Sequence, residues 1–205
     1  MNYLALDTAL GVKIILSVDG KYYEYTDEEY KMASSVLLPK IDELLSQANI
    51  SLEDIDIFAS TIGPGSFTGI RIAVNTIRAF AYALNKPVIA LDCLTVGAFA
   101  YNGECSSILY GWGDNYYMAS FDNNYNMIGD AKAVKQDELS SISGVVVCDK
   151  ITAETIDRAI VYDSSKCLKK AVEHYISKGE KVGYDDVKPF YVMPSQAERD
   201  LKNKQ

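Results

Sequence analysis

The order of hydrophobic periodicities in the first half of the chain constrains the fold more than any other feature. NYLALDTA, VKIILSV and KYYEYTD are β-rich runs, and the pair Asp19-Gly20 separates the second from the third. Both central positions of a tight hairpin turn require positive φ, which Asp and Gly accept. We therefore expect three antiparallel strands at the start of the chain.

The next segment has helical periodicity. In DEEYKMASSVLLPKIDELLSQAN the apolar positions recur every three to four residues, and Asn49 is expected to end the helix. Proline is best tolerated in the first turn of a helix, so Pro39 predicts a helix start near Ser34 or Ser35. IDIFAST then reads as a buried strand, followed by a glycine-rich loop and a second helix reaching Leu84.

The strand VIALD and a short helix in LTVGAFAYN complete the first half, residues 1–103. The order β-β-β-α-β-α-β is that of a ribonuclease-H-like half, in which helices pack on a mixed sheet. Residues 104–205 repeat the pattern in abbreviated form. SSILYGW, NYYMASFD, MIGDAKAV, VVVCD and AIVYD are predicted strands, and SSKCLKKAVEHYIS is a predicted helix. The predicted fold class is thus α/β with two such halves.

Composition narrows the class of protein. The net charge is −8 and the sequence pI is about 4.7, a balance that opposes direct binding to a polyphosphate backbone. No apolar run is long enough to span a bilayer, and MNYLALDTALG lacks the basic start of a signal peptide. Four widely spaced cysteines fit buried free thiols. These features predict a cytoplasmic protein without membrane contact.

The loop STIGPGSFTGIRIA does not match the nucleotide-binding motifs. Gly63, Gly65 and Gly69 are spaced G-x-G-x-x-x-G, one residue longer than the dinucleotide fingerprint. A Walker loop needs a Gly-Lys pair, which this loop lacks. The helix N-terminus and Arg71 could still attract an anion. Nucleotide binding by this loop alone is therefore not expected.

Other catalytic sites are equally poorly supported. Ser66 has Pro64 and Thr68 where a hydrolase elbow has glycines, and the only histidine, His174, lies in a distant lysine-rich helix where we expect it to be exposed. The cysteines and one histidine cannot form an N/S metal cluster. Asp7 with Thr8 is a weak candidate for a divalent cation, and Asp92 is a lone acid at a strand end. We predict no catalytic and no metal-binding residues.

The glycine loop is better explained as the start of a helix. Glycines allow a tight reversal after the strand, and Ser66 or Thr68 could cap the new helix. At about 100° per residue, Ile70, Ala73, Val74, Ile77, Ala81 and Leu84 form one apolar face, while Arg71, Asn75, Arg78 and Tyr82 form a polar stripe. A third face of small and apolar residues remains. It could contact a partner or the preceding helix, and both alternatives stay open.

These segments resemble one protein family. GPGSFTGIRIA, LALDTA and SSVLLPKIDELL closely resemble the TsaB (YeaZ) family of bacterial threonylcarbamoyladenosine biosynthesis subunits, and KPFYVMPSQAE resembles its closing motif. The resemblance implies the actin-like, sugar-kinase-like ATPase fold. It also implies a non-catalytic subunit that pairs with a catalytic paralogue, TsaD, and acts with the ATPase TsaE on the adenosine beside the tRNA anticodon.

The resemblance implies how such a subunit assembles. Relatives pair with TsaD, or with a second copy of themselves when alone, through the two-helix face, so this chain would contact tRNA only indirectly. ATP and metal are expected on the partner subunits and no cofactor on this chain. The implied interface residues are Ser35, Val36, Leu38, Lys40, Gly69, Ile72, Thr76, Ala79 and Ala83.

Two alternatives from other classes remain. The first is an independent enzyme, either a sugar-kinase-like phosphotransferase or a remnant peptidase. The catalytic paralogue carries a histidine metal motif and glycine-pair motifs, whereas none of the 13 glycines here is adjacent to another. The second is a homodimeric structural protein whose helix face contacts only its own copy.

Overall fold

The computed structural model describes residues 1–28 and 32–193, which form two five-stranded sheets with helices packed against them. The strands of the first sheet are β1 (Tyr3–Asp7), β2 (Val12–Val18), β3 (Lys21–Asp27), β4 (Ile57–Thr61) and β5 (Val88–Leu91). Those of the second are β6 (Cys105–Tyr110), β7 (Asn115–Phe121), β8 (Met127–Lys135), β9 (Val146–Cys148) and β10 (Ile160–Val161). The α-helices are α1 (Ala33–Ala48), α2 (Phe67–Leu84), α3 (Cys93–Ala98), α4 (Lys150–Ala153) and α5 (Ser164–Lys178).

The first sheet has the strand order β3-β2-β1-β4-β5. β1, β2 and β3 are antiparallel, whereas β4 and β5 run parallel to β1. The hairpin between β2 and β3 turns at Asp19 and Gly20, with φ of 48° and 81°. The prediction from the Asp-Gly pair is therefore confirmed, since both turn positions have positive φ.

The second sheet repeats this topology. Its order is β8-β7-β6-β9-β10, with three antiparallel strands first and two parallel strands after them. Both sheets thus have the ribonuclease-H-like order in which the third, second, first, fourth and fifth strands of a half lie side by side. The predicted fold class is confirmed.

The two halves differ in their helices. Between its third and fourth strands the first half has α1, of 16 residues, where the second half has only a 3₁₀ helix, Gln136–Ser141. Between the fourth and fifth strands the first half has α2, of 18 residues, and the second half has α4, of 4 residues. The second half is abbreviated as predicted, and the α1–α2 pair exists only in the first.

Helices α1 and α5 lie on opposite faces of the first sheet. Alternate side chains of a strand point to opposite faces. Along β3, Tyr22, Glu24 and Thr26 contact Glu173, Lys169 and Ser165 of α5, respectively. Tyr25, between them, lies beneath Lys40 of α1 with its ring centroid 5.0 Å from the Lys40 Nζ. The sheet therefore separates the α1–α2 layer from the α5 layer.

One hydrophobic core joins the halves. It includes Leu4 and Phe58 of the first sheet, Phe121 and Val147 of the second, and Leu168 of α5 between them. The four cysteines are free and buried, as predicted. Burial raises the pKa of Cys148 to about 12 and that of Cys167 to about 11, so these thiols stay protonated and contribute as apolar side chains. Within the described residues, no helix is sufficiently long and apolar to cross a membrane.

Helix α1 begins at Ala33, within one residue of the predicted start near Ser34. Pro39 was predicted in the first turn, and this is wrong, because it lies inside the helix. Proline has no N–H to donate to the carbonyl four residues before it, and that position is tolerated because Pro39 is on the exposed side of α1. The predicted end is confirmed, since Asn49 has φ of 55° and its N–H contacts the last-turn carbonyl of Ser46.

His174 also differs from the prediction. It is half-buried, not exposed, because its ring packs edge-on against Phe99 and Tyr125, with centroids 5.2 and 5.4 Å away. Burial, with the nearby positive charge of Lys178, lowers the pKa of His174. These contacts show that the His174 ring packs between α5, Phe99 and the loop after β7.

Replacing Pro39 with alanine should stabilise the protein. Alanine restores the missing helical hydrogen bond, and we expect Pro39→Ala to raise the free energy of unfolding by about 1–3 kcal/mol. The loss of proline also increases the conformational entropy of the unfolded chain, which offsets part of this gain. Urea denaturation measures this change. The control Asp42→Ala, at another exposed α1 position, should change stability by no more than about 0.5 kcal/mol. A loss of stability in Pro39→Ala would contradict the assignment.

Candidate functional site

The glycine loop before α2 packs against the turn between β1 and β2. At Gly65, with φ of 155°, an added Cβ would lie 2.8 Å from the Cβ and the carbonyl oxygen of Ala9. The neighbouring Ser66 N–H donates to the same Ala9 carbonyl at 2.9 Å. The loop is therefore filled by the chain's own backbone and has no room there for a phosphate group.

Gly69 is the tightest point of this packing. A Cβ at Gly69 would lie 1.9 Å from the Thr8 carbonyl oxygen, and the Thr8 hydroxyl donates to the Gly69 carbonyl at 2.5 Å. Gly69 was predicted on the outer face of the second helix. The structure corrects this, because Gly69 is buried against Thr8 and presents no surface to a partner.

Ser66 caps the helix and Thr68 does not. The Ser66 hydroxyl accepts a hydrogen bond from the Gly69 N–H at 3.2 Å, whereas Thr68 is an exposed residue of the first turn. Arg71 is also engaged: its guanidinium lies 3.9 Å above the ring centroid of Phe67, and its Nε donates to the Tyr191 hydroxyl at 3.1 Å. Arg71 thus holds a neighbouring segment in place.

That segment is the C-terminal part of the described chain. The Phe190 N–H donates to the Ile62 carbonyl at 2.7 Å, and a Cβ at Gly63 would lie 2.5 Å from the Phe190 carbonyl oxygen. The Tyr191 ring stacks on Phe67 with centroids 4.9 Å apart. The segment that resembles the family's closing motif therefore packs over the glycine loop and bonds to it. Residues 194–198 of that motif lie outside the described part of the chain.

The same segment follows the polar stripe of α2. Asp185 pairs with Arg78 at 3.9 Å, and the Tyr184 ring packs edge-on against Tyr82 at 5.1 Å. The backbone of Val182 forms an antiparallel bridge to Val88 at the edge of the first sheet. Much of the predicted polar stripe of α2 therefore contacts the chain's own C-terminal segment.

The outer side of α1 and α2 remains open. We define the α1–α2 surface as the eight interface residues predicted above that reach solvent, all except Gly69. Of these, Ser35, Leu38, Ala79 and Ala83 are exposed, with Leu38 at 50% of its full accessibility. Val36, Lys40, Ile72 and Thr76 are partly buried. Helix α1 therefore covers the small-residue face of α2 only in part.

A cavity of about 630 Å³ lies between the two halves, beneath the start of the glycine loop. Asp7, at the end of β1, accepts hydrogen bonds from the Ala9 N–H at 2.9 Å and from the Thr61 hydroxyl at 2.8 Å. Its other oxygen lies 3.5 Å from the Nζ of Lys13, which is 3% exposed. Asp7 is thus occupied by donors of this chain and is not free for a cation.

Two further acids next to strand ends, Asp92 and Asp56, also accept hydrogen bonds from this chain. Asp92 accepts hydrogen bonds from the N–H and the hydroxyl of Thr95 at 2.8 and 2.5 Å and so begins α3. Asp56 accepts from the Asn2 N–H at 2.7 Å. In residues 1–28 and 32–193, no three His, Cys, Asp or Glu side chains are grouped so that they could hold a metal ion.

Comparison with known proteins places this chain in a family. The model of the family described as "TsaD: tRNA N6-adenosine threonylcarbamoyltransferase" matches residues 30–180. The chain belongs to this family. The resemblance to its TsaB (YeaZ) members is also confirmed by the names of the relatives, which follow.

Relatives of both kinds within the family match parts of the chain. The TsaB protein of Buchnera aphidicola from Baizongia pistaciae is 37% identical over 97 residues, 46% of this chain and 44% of that protein. The tRNA N6-adenosine threonylcarbamoyltransferase of Protochlamydia amoebophila is 38% identical over 65 residues, 32% of this chain and 19% of that protein. The matches thus span less than half the length of these relatives.

A solved structure matches the fold over nearly the whole chain. YeaZ from Pseudomonas aeruginosa superposes with a TM-score of 0.78 and 22% identity, covering 93% of this chain and 99% of that one. Because the superposition covers nearly the whole chain, the likeness shows that both halves have the YeaZ fold.

Sequence reasoning missed two features of this region. The first is the docking of the C-terminal segment on the glycine loop, because no pattern around Tyr191 indicates that it contacts Phe67 and Arg71. The second is the buried Lys13, which stands in the apolar run VKIILSV. A lysine inside such a run could have been noticed, because a buried lysine requires a partner.

Gly69→Ala should destabilise the protein, although glycine-to-alanine changes inside helices are normally favourable. The new Cβ would overlap the Thr8 carbonyl, and we expect a loss of about 1–3 kcal/mol in the free energy of unfolding, measured by urea denaturation. Thr68→Ala, one residue earlier and exposed, is the control and should stay within about 0.5 kcal/mol of the native chain. Increased stability in Gly69→Ala would show that the contact with Thr8 is looser than described.

Tyr191→Ala should release the C-terminal segment from the glycine loop. The change removes the stack on Phe67 and the acceptor for Arg71, and we expect a loss of about 1 kcal/mol. Amide hydrogen exchange should become faster at Phe190, whose N–H bonds to Ile62. Tyr191→Phe keeps the stack and should show a smaller effect. Unchanged exchange in Tyr191→Ala would mean that the backbone contacts alone hold the segment.

Proposed function

We propose that this chain is a non-catalytic subunit in the biosynthesis of threonylcarbamoyladenosine in tRNA, which pairs through the α1–α2 surface with a catalytic paralogue of the TsaD type. The relatives named TsaB and the family match support the pathway. The single observation that carries the pairing is the exposed α1–α2 surface on an otherwise well-packed domain.

The chemistry of this surface suits a helix pair from another protein. Ala79 and Ala83 are one turn apart on α2 and both are exposed, so a partner's helix could approach the α2 backbone closely. Leu38 and Val36 on α1 add apolar area beside them. Apolar side chains at the centre and Lys40 near the edge are the usual arrangement of an interface.

The second half of the chain strengthens this proposal. Its equivalents of α1 and α2 are a 3₁₀ helix and the 4-residue α4, so a comparable pair of long helices occurs once in the described chain. A paralogue with the same fold would present its own α1–α2 pair, and two such pairs could pack as a four-helix interface.

An independent enzyme is the less favoured alternative. The glycine loop that could have held phosphate is filled by Ala9, Thr8 and Phe190. In the proposed complex, the TsaD-like and TsaE-like subunits bind ATP and metal. The tRNA binds the partner subunits, so this chain contacts it only indirectly. The acidic net charge of −8 fits such an indirect role in the cytoplasm, where tRNA is modified.

The test is light scattering on the purified chain, alone and mixed with the TsaD-like protein of the same organism. We expect a heterodimer with the native chain and at least tenfold weaker pairing with Ala79→Arg, because a buried charge without a partner costs several kcal/mol. Ala79 is exposed in the free chain, so the variant should fold normally. Equal thermal stability of the two chains would verify this.

Ser177→Arg is the matched control. It adds the same side chain at an exposed helical position, but on α5, which lies on the other face of the first sheet. It should pair like the native chain. A mixed complex that tolerates Ala79→Arg would reject this surface. A chain that forms only a homodimer, with no competition by the paralogue, would instead support the homodimeric alternative.

A further inference from the structure

The cavity between the halves has polar groups that the contacts described above do not use. It is lined by side chains of the first sheet, by Cys93 and Val96 of α3, and by residues from Asp149 to Ser165 that include the start of α5. Its volume of about 630 Å³ is within the range of small-molecule sites. The question is which class of molecule its walls would accept.

Tyr162 is the first observation that points to a ligand. Its side chain lines the cavity, is 9% exposed, and packs its ring against Gly97, where an added Cβ would lie 3.1 Å from the ring. Its hydroxyl has no hydrogen-bond partner among the described residues. Burial raises the pKa of Tyr162 well above its usual range, and the nearby negative charge of Asp149 adds to the shift. The hydroxyl of a largely buried tyrosine normally has a hydrogen-bond partner.

Asp149 is the second observation. One carboxylate oxygen caps α4 by accepting from the Thr152 N–H at 2.9 Å. Burial raises the pKa of Asp149, and the nearest opposing charge is Lys13, which already bonds to the Leu10 carbonyl at 2.7 Å and to Asp7. A half-buried carboxylate and the hydroxyl of a buried tyrosine thus line the same cavity.

The charge balance of the cavity decides the sign of the ligand. Among the described residues, its walls carry five carboxylates. Four of them are paired with lysines of this chain, in the pairs Asp7–Lys13, Glu28–Lys150, Glu24–Lys169 and Asp163–Lys166. Asp149 is the one carboxylate without a lysine or arginine partner among the described residues, so five carboxylates against four lysines leave one negative charge, which favours a cation over phosphates and carboxylates. The cluster lacks the convergent oxygen ligands of a metal site, which leaves organic cations.

We propose that this cavity binds a small organic cation, a primary ammonium on a short apolar body. The ammonium would donate to the Asp149 carboxylate, which has no ion-pair partner among the described residues, and to the Tyr162 hydroxyl oxygen. Leu10, Val96 and Val161 provide an apolar wall for the rest of the molecule. A charge-assisted hydrogen bond in a partly dry site is stronger than a neutral one.

The experiment titrates n-butylammonium chloride into the native full-length chain labelled with ¹⁵N and follows backbone amides by NMR. We expect saturable shifts confined to residues 149–152 and 161–165. Sodium butanoate, which has the same carbon chain with the opposite charge, should cause no saturable shift, and neither should ATP. Absence of saturation by butylammonium, or equal or tighter binding of butanoate or ATP, would overturn the proposal.

Two variants test the assigned atoms. Asp149→Asn keeps a side-chain oxygen to cap α4 but removes the charge, and should weaken butylammonium binding by about tenfold. Tyr162→Phe removes one acceptor and should weaken it by about threefold. Glu154→Gln, which removes an exposed acid outside the cavity, is the control and should bind like the native chain. Native affinity in both Asp149→Asn and Tyr162→Phe would also overturn the proposal.

Discussion

The contact between the glycine loop and the turn after β1 supports the rest of the first half. Gly69 lets α2 begin within bonding distance of Thr8, and Gly65 allows the loop to pass Ala9. This close approach fixes where α2 lies on the sheet. The side of α2 that remains open, and hence the α1–α2 surface, follows from that position. A side chain at Gly69 would move the helix and the surface together.

The C-terminal segment secures the loop from the other side. Phe190 bonds to Ile62, Tyr191 stacks on Phe67, and Asp185 and Tyr184 contact the polar stripe of α2. The glycine loop is thus held between two segments that are far apart in sequence. Hydrogen bonds from both segments pair several of the loop's backbone groups, including the Ser66 N–H with Ala9 and the Ile62 carbonyl with Phe190.

The comparison of the two halves shows how one topology can serve two purposes. Both sheets have the same strand order, but among the residues that the structure describes only the first sheet has long helices at the positions of α1 and α2. The second half contributes α5 to the opposite face of the first sheet and closes the cavity with Asp149 and Tyr162. The proposed partner surface therefore lies on the α1–α2 face of the first sheet, and the proposed cation site lies on its α5 face.

Local signals in the sequence predicted the order of strands and helices along the chain, the hairpin at Asp19-Gly20, a cap at Ser66 or Thr68 and the end of α1 at Asn49. These features depend on residues close to one another in the chain, so periodicity and turn chemistry suffice to find them. The position of Pro39 in α1, the burial of His174 and the inward position of Gly69 were predicted wrongly. Lys13 and Tyr162 in the cavity, and the docked Tyr191, were not predicted at all. Each of these depends on contacts between distant segments, and only the tertiary structure decides which faces those segments cover and which they leave open.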